Sequence, residues 1–178
     1  MRTVLYGAAC SLDGFIAAAD GALDWLHFSA DAAGEMRRSF AGVDTIVMGR
    51  KTWEAGLALS GGKHPYPGHR TLVFSRTLPP SAGGDVEVVA ADAAEVVRDL
   101  RQGPGGTICV MGGGELARAL FAADLVDEVG LNVHPVLLGA GVPLFRDAGR
   151  RVALELTRTR EMAGGCVMLT YAVRRAGV

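Results

Sequence analysis

Short apolar runs recur along this chain, and most of them lead straight into a segment of helical periodicity. Strands are expected over 4–10, 43–48, 71–75, 86–90 and 107–111, each apolar run being bounded by turn-forming residues. Helices are expected over 29–40, 51–57, 92–100 and 115–122. In the first, Ala33, Met36 and Phe40 share one face and Ser29 is placed to cap. In the third, Asp92 caps, and Ala93, Val96, Val97 and Leu100 form the apolar stripe. The alternation stops after residue 126. Strands over 126–136, 152–160 and 166–173 then follow one another, with Gly164-Gly165 as a hairpin turn. Parallel strands need long crossovers, and helical crossovers cover both sheet faces, so their strands read as continuous apolar runs. The expected fold is α/β: a three-layer α/β/α arrangement with a mostly parallel central sheet and antiparallel C-terminal strands. The Gly- and Pro-rich stretches 60–68 and 79–84 read as loops.

With 178 residues, the chain suits one domain over 1–178. A net charge of −1 carries no electrostatic signature of nucleic acid or an anionic membrane. No apolar run reaches the roughly 18 residues needed to span a bilayer. Residues 1–10 are too short and too polar for a signal peptide, so the expected location is the cytoplasm. Cys10, Cys109 and Cys166 are far apart, odd in number and set in apolar runs, as reduced buried thiols would be. His64 and His69 lie in a loop without further ligands nearby, and no metal site is expected.

Three strand ends carry residues suited to phosphate. Gly112-Gly113-Gly114 joins a strand to a helix, where bare backbone lets an anion approach free N–H groups at the positive helix end. Taken alone, the same glycines serve equally well for tight strand-to-helix packing. The pattern is neither a Rossmann G-x-G-x-x-G nor a P-loop. At Gly49-Arg50-Lys51-Thr52 two cations and a hydroxyl open a helix, a placement unfavourable without an anion. Ser75-Arg76 closes another strand. In an open α/β sheet ligands lie beyond the C-terminal strand ends, where all three pieces sit. Together they suggest a dinucleotide bearing an extra 2′-phosphate, NADPH.

The stretch Met48-Gly49-Arg50-Lys51-Thr52-Trp53-Glu54 resembles the cofactor signature of the dihydrofolate reductase superfamily. Phe74-Ser75-Arg76 resembles its adenosine-side strand end, and 111–116, which includes Glu115 and Leu116, its pyrophosphate turn. Within that superfamily, Ser11-Leu12-Asp13-Gly14-Phe15-Ile16-Ala17, Ala123-Asp124-Leu125-Val126-Asp127-Glu128 and the long stretch 134–145 are similar to the C-terminal reductase domain of the bifunctional riboflavin-biosynthesis deaminase-reductase. The resemblance implies a dihydrofolate-reductase-like fold, NADPH as cofactor and a homodimer joined through the C-terminal strands and 135–145. It implies that Ala9 and Ile16 line the nicotinamide under the Gly14 loop. It also implies reductase activity of the 5-amino-6-(5-phosphoribosylamino)uracil type, although Phe15 stands where those enzymes carry a lysine. A dihydrofolate or pterin reductase is the neighbouring reading, and a non-catalytic NADPH-binding module is the reading from another class.

Candidate proton donors or substrate anchors are Asp13, Asp31 and Asn132. Each has an ordinary alternative: a turn aspartate, a helix-start acid and a buried amide bonded to backbone. Trp25, Phe28, Asp31 and Glu35 are candidates to contact a small flat substrate, with core packing or a solvated helix face as the alternatives. His134 before Pro135 reads as a strand-end residue.

Overall fold

The computed structural model describes residues 1–80, 85–147 and 149–175, apart from the Ala33 side chain. In chain order the elements are β1 (Val4–Ser11), β2 (Phe15–Ala18), α1 (Ala30–Ser39), β3 (Val43–Gly49), α2 (Arg50–Leu59), β4 (Arg70–Phe74) and β5 (Val86–Val89). They continue with α3 (Ala93–Gln102), β6 (Thr107–Met111), α4 (Gly114–Ala122), β7 (Glu128–His134), β8 (Gly141–Pro143), β9 (Ala153–Glu161) and β10 (Val167–Arg174). The loop expected over 79–84 lies, beyond Pro80, outside the described residues. The strand expected over 126–136 is shorter at both ends. Leu125 and Val126 are buried but precede the ladder. Nothing in the local pattern announced β2, which pairs with β8 across more than 120 residues.

Eight strands form one sheet in the order β5-β4-β3-β6-β1-β7-β10-β9. The first six are parallel, and β10 runs antiparallel to both β7 and β9. β1, the first strand in the chain, is therefore central, with β6 on one side and β7 on the other. This mostly parallel sheet with antiparallel C-terminal strands is the one the sequence leads one to expect.

Alternate residues of the parallel strands feed two cores. Val47, Leu72, Val110 and Tyr6 pack with Val97 of α3 and with Leu116, Leu120 and Phe121 of α4. Ile46, Met48, Val73 and Cys109 face the other way, against Trp53 of α2, Phe40 and Tyr66. Both faces are thus covered, giving three layers. Val97 and Leu120 are fully buried, and each such side chain contributes roughly 1.5–3 kcal/mol.

The reading of α1 needs a correction. Met36, expected on the core face, is 46% exposed, whereas Glu35 is completely buried. The reason lies across the interface. α1 packs over β9, which presents Arg158 and Arg160, and both bond Glu35. A carboxylate, not an apolar side chain, fits that surface.

Candidate active site

The parallel strands end together along one edge. Gly49 is in register with Phe74, Phe74 with Val89, Met48 with Met111, and Ser11 with His134. The three strand ends singled out in the sequence therefore share one side of the sheet. β3 and β6 are neighbours, so the Gly49 turn and the Gly112-Gly113 turn lie side by side. Gly112 and Gly113 have φ of 54° and 68°, a region where a side chain is strained. A Cβ on Gly112 would lie 3.3 Å from Thr52 Oγ1, so bare backbone here faces the Thr52 hydroxyl. Gly114 is closed in on another side: a Cβ there would come within 2.9 Å of the Pro143 carbonyl oxygen.

The helix starts differ in how they are capped. α1 is capped by Ser29 and α3 by Asp92, whose carboxylate accepts from Ala94 and Glu95 N–H. α2 and α4 begin at Gly49 and Gly113, with no side-chain cap. Their first-turn N–H groups, unsatisfied within the helix, converge at the β3–β6 edge. Two helix starts left open beside a hydroxyl make a cradle for an anion. Arg50 does not point its charge there alone, since its Nη1 donates to both Glu54 carboxylate oxygens at 2.7 and 2.8 Å. Among the described residues Lys51 and Arg76 have no ion-pair partner. Glu115 pairs with Arg118 and Arg146, and Leu116 is buried in the core.

Beyond β4 and β5 lies an open groove of about 470 Å³, lined by Ser75, Arg76, Ala90, Ala91 and Asp92 among others. Ser75 Oγ accepts from the N–H groups of Thr77 and Leu78, which shapes the turn that carries the exposed Arg76.

On the other side of β1, the acids are held as anions. Asp13 accepts from Ser11 Oγ and from the N–H groups of Leu138 and Gly139, which tie the β1–β2 turn to the segment after β7. These bonds, that from Ser11 foremost, keep its carboxyl below the usual range. Asp31 accepts from Ser29 Oγ and from Ala163 N–H at 2.7 Å, and the Ser29 bond likewise depresses it. Glu35 is surrounded by Arg38, Arg158 and Arg160. Burial opposes its ionisation, but the Arg38 hydrogen bond and the arginine charges outweigh it and keep the carboxyl below its usual range. Completely enclosed, Glu35 cannot line a cleft. It is a structural anchor of α1, a correction to its reading as a substrate contact. Phe28 projects into solvent, 75% exposed, and offers no wall by itself.

Ala9, Asn132 and Met168 are cross-strand neighbours on one face, and Ser11 and His134 continue the rows of β1 and β7. Trp25 is half-buried here, edge-on to the His134 ring at 5.4 Å. The side-chain oxygen of Asn132 is buried with no hydrogen-bond partner among the described residues. His134, which looked like a mere strand end, is 2% exposed and bonded to Asn132, His27 and Cys166. Its only signal in the sequence is its i+2 spacing from Asn132. Burial, and then the His27 charge, holds its pKa below the ordinary histidine value. Ile16 lies in β2 and packs against the main core. Among the described residues no three His, Cys, Asp or Glu side chains are placed to hold a metal ion, and no helix is long and apolar enough to cross a membrane.

Comparison with known proteins places this geometry. YwjB of Bacillus subtilis, an uncharacterized protein, is 34% identical over 171 residues, covering 96% of this chain and 97% of the relative. RibD of Mycobacterium tuberculosis, named for riboflavin biosynthesis, is 31% identical over 159 residues, which is 82% of this chain but only 46% of RibD. A solved Shewanella sp. PV-4 protein named for riboflavin biosynthesis superposes with a TM-score of 0.76 at 27% identity, covering 98% of this chain and all of the other. A Thermotoga maritima diaminohydroxyphosphoribosylaminopyrimidine deaminase/5-amino-6-(5-phosphoribosylamino)uracil reductase shares the fold, with a TM-score of 0.69 at 18% identity over 97% of this chain and 57% of its own. The RibD C-terminal domain matches residues 2–168, and this chain belongs to that family.

Proposed function

We propose that this protein is a cytoplasmic, NADPH-dependent reductase. It transfers hydride to a small heterocyclic or nucleotide-like substrate, of the 5-amino-6-(5-phosphoribosylamino)uracil reductase type. The observation that carries the reading is the pair of uncapped helix starts, α2 and α4, meeting beside Thr52 and the Gly112-Gly113 turn. A pyrophosphate is the anion that such a cradle fits. Arg76, beside the groove past β4 and with no ion-pair partner among the described residues, would take a 2′-phosphate, with Lys51 as a second cation. Ala9 and Ile16 would line the nicotinamide. Bound NADPH supplies the hydride; the chain binds, orients and shields the reacting partners. Because Asp13 and Asp31 are held as anions, the balancing proton comes from water rather than from either acid.

Titration of purified protein with NADPH and NADH tests the cofactor. NADPH should bind at least tenfold more tightly. Arg76→Ala should lose about 1.4 kcal/mol or more of that preference. Arg50→Ala should lose less, because Glu54 already holds that guanidinium. No binding of either cofactor at micromolar concentration would remove the reductase reading. Trp25 beside the Asn132 face favours a flat ring, so pterin reduction is the second reading. NADPH oxidation with dihydrofolate, and none with a ribosylaminopyrimidine, would select it. Binding without turnover of either would leave a cofactor-binding module.

A further inference from the structure

An amide's oxygen and nitrogen have nearly the same shape, so the surrounding hydrogen bonds decide which is which. Around Asn132 they decide against a ring-facing NH2. The Asn132 amide lies 3.2 Å from His134 Nε2. The other ring nitrogen, Nδ1, lies 3.2 Å from the His27 backbone N, and a backbone N–H can only donate. Cys166 Sγ, a second potential donor, is 3.5 Å from the same Nδ1. Burial and, secondarily, the charge of Asp31 raise the Cys166 pKa, so it is a thiol rather than a thiolate. Nδ1 is therefore an acceptor, and in a neutral ring the proton must sit on Nε2. Nε2–H needs an acceptor facing it. With the Asn132 nitrogen turned to the ring, two donors meet and the amide oxygen is left buried without a partner. Half a turn of the amide gives His134 its acceptor. It also turns the NH2 donor away from the ring, into a position closed to solvent in the free chain, at the strand position paired with Ala9 and Met168.

We propose that His134 is a positioning residue: its Nε2–H fixes the Asn132 carboxamide so that the NH2 donates to a carbonyl oxygen or ring nitrogen of the bound heterocycle. The inference rests on the reductase reading, because that reading puts the nicotinamide against Ala9, the cross-strand neighbour of Asn132. It assigns the pair a substrate chemistry, recognition of an acceptor atom, without a proton transfer. Trp25, edge-on to the ring, and the backbone of His27 hold the histidine in turn. His27 and Cys166 are the titratable groups that face it, and Asp31 acts on Cys166 in turn.

Asn132 is the only asparagine in the chain and His134 one of four histidines, so isotope labelling isolates both. In protein labelled with 15N at histidine and asparagine, long-range proton–nitrogen correlation reads the tautomer without any variant. His134 should be neutral at pH 7 with its proton on Nε2. A proton on Nδ1, or a doubly protonated ring, overturns the proposal. The second arm adds uracil to the NADP⁺ complex and follows the single Asn132 NH2 pair. A downfield shift is expected in the wild type and should be lost in His134→Phe, whose NADP⁺ affinity should be unchanged. An unmoved NH2 pair in the wild type, or an equal shift in the variant, overturns the donor role. The reductase reading is judged separately, by whether NADP⁺ binds at all before uracil is added. If NADP⁺ does not bind, that reading fails and the donor role goes with it, whatever the tautomer.

Discussion

Gly112 is held against Thr52 in a conformation that tolerates no side chain well. Gly112→Ala should therefore act twice. The positive φ should cost about 1–2 kcal/mol of stability, read by urea unfolding. The added methyl should also push on Thr52 and weaken NADPH binding by about tenfold, or ~1.4 kcal/mol. Glu35→Gln should leave cofactor affinity unchanged and destabilise the fold by roughly 1 kcal/mol, because the arginines it leaves behind are partly exposed and rehydrate. His134 is neutral in the folded chain and its pKa lies below the ordinary 6.5. The unfolded chain takes up that proton first. Stability should therefore decline as pH drops below about 6.5, and level off beneath the folded value until the carboxylates titrate. Denaturant midpoints between pH 7.5 and 5 would check it, and in His134→Phe that part of the slope should be gone.

At the scale of elements, the phosphate-competent pieces were legible because each is local: a strand end, a glycine, a hydroxyl or cation, a helix start. Which helix starts are closed was legible as well: Ser29 and Asp92 read as caps and turn back on their own helices, whereas Gly49 and Gly113 have no side chain with which to do so. The Met36 and Glu35 reversal was hidden: the surface that α1 meets is made by Arg158 and Arg160, more than 120 residues away in sequence. The small β2–β8 ladder is similarly non-local, and it holds the Gly14 turn over the central strand. Its close point is Gly141, where a Cβ would lie 2.2 Å from the Ala17 carbonyl oxygen. Gly141→Ala should therefore pry β8 from β2. Amide exchange at 15–18 should accelerate, while exchange in β3 and β6 stays slow.

At the scale of the molecule, the alternation of short apolar runs and helices was enough to expect the layered, mostly parallel sheet. Strand order was not, because it depends on which crossovers pass which face. Nor did the sequence mark how exposed β9 is. Leu154 and Leu156 on this edge strand are 42% and 52% exposed, with Phe145 at 44% and Leu137 at 70% in or near the segment 135–145. A free strand edge beside apolar side chains favours association, and we propose a homodimer joined there. Sedimentation velocity should give a dimer for the wild type. Leu154→Lys combined with Leu156→Lys should give a folded monomer that still binds NADPH.

The central place of β1 also governs how the chain is made. Its partners are Thr107–Met111 and Glu128–His134, so β1 leaves the ribosome with no partner strand until about a hundred further residues, from Ser11 to Met111, are synthesised. At roughly 5–20 residues per second, that leaves Val4, Tyr6 and Cys10 uncovered for on the order of ten seconds. During that interval the apolar first strand is a client for chaperones. Substitutions that delay β6 or β7 should lower the yield of soluble protein more than the stability of what does fold.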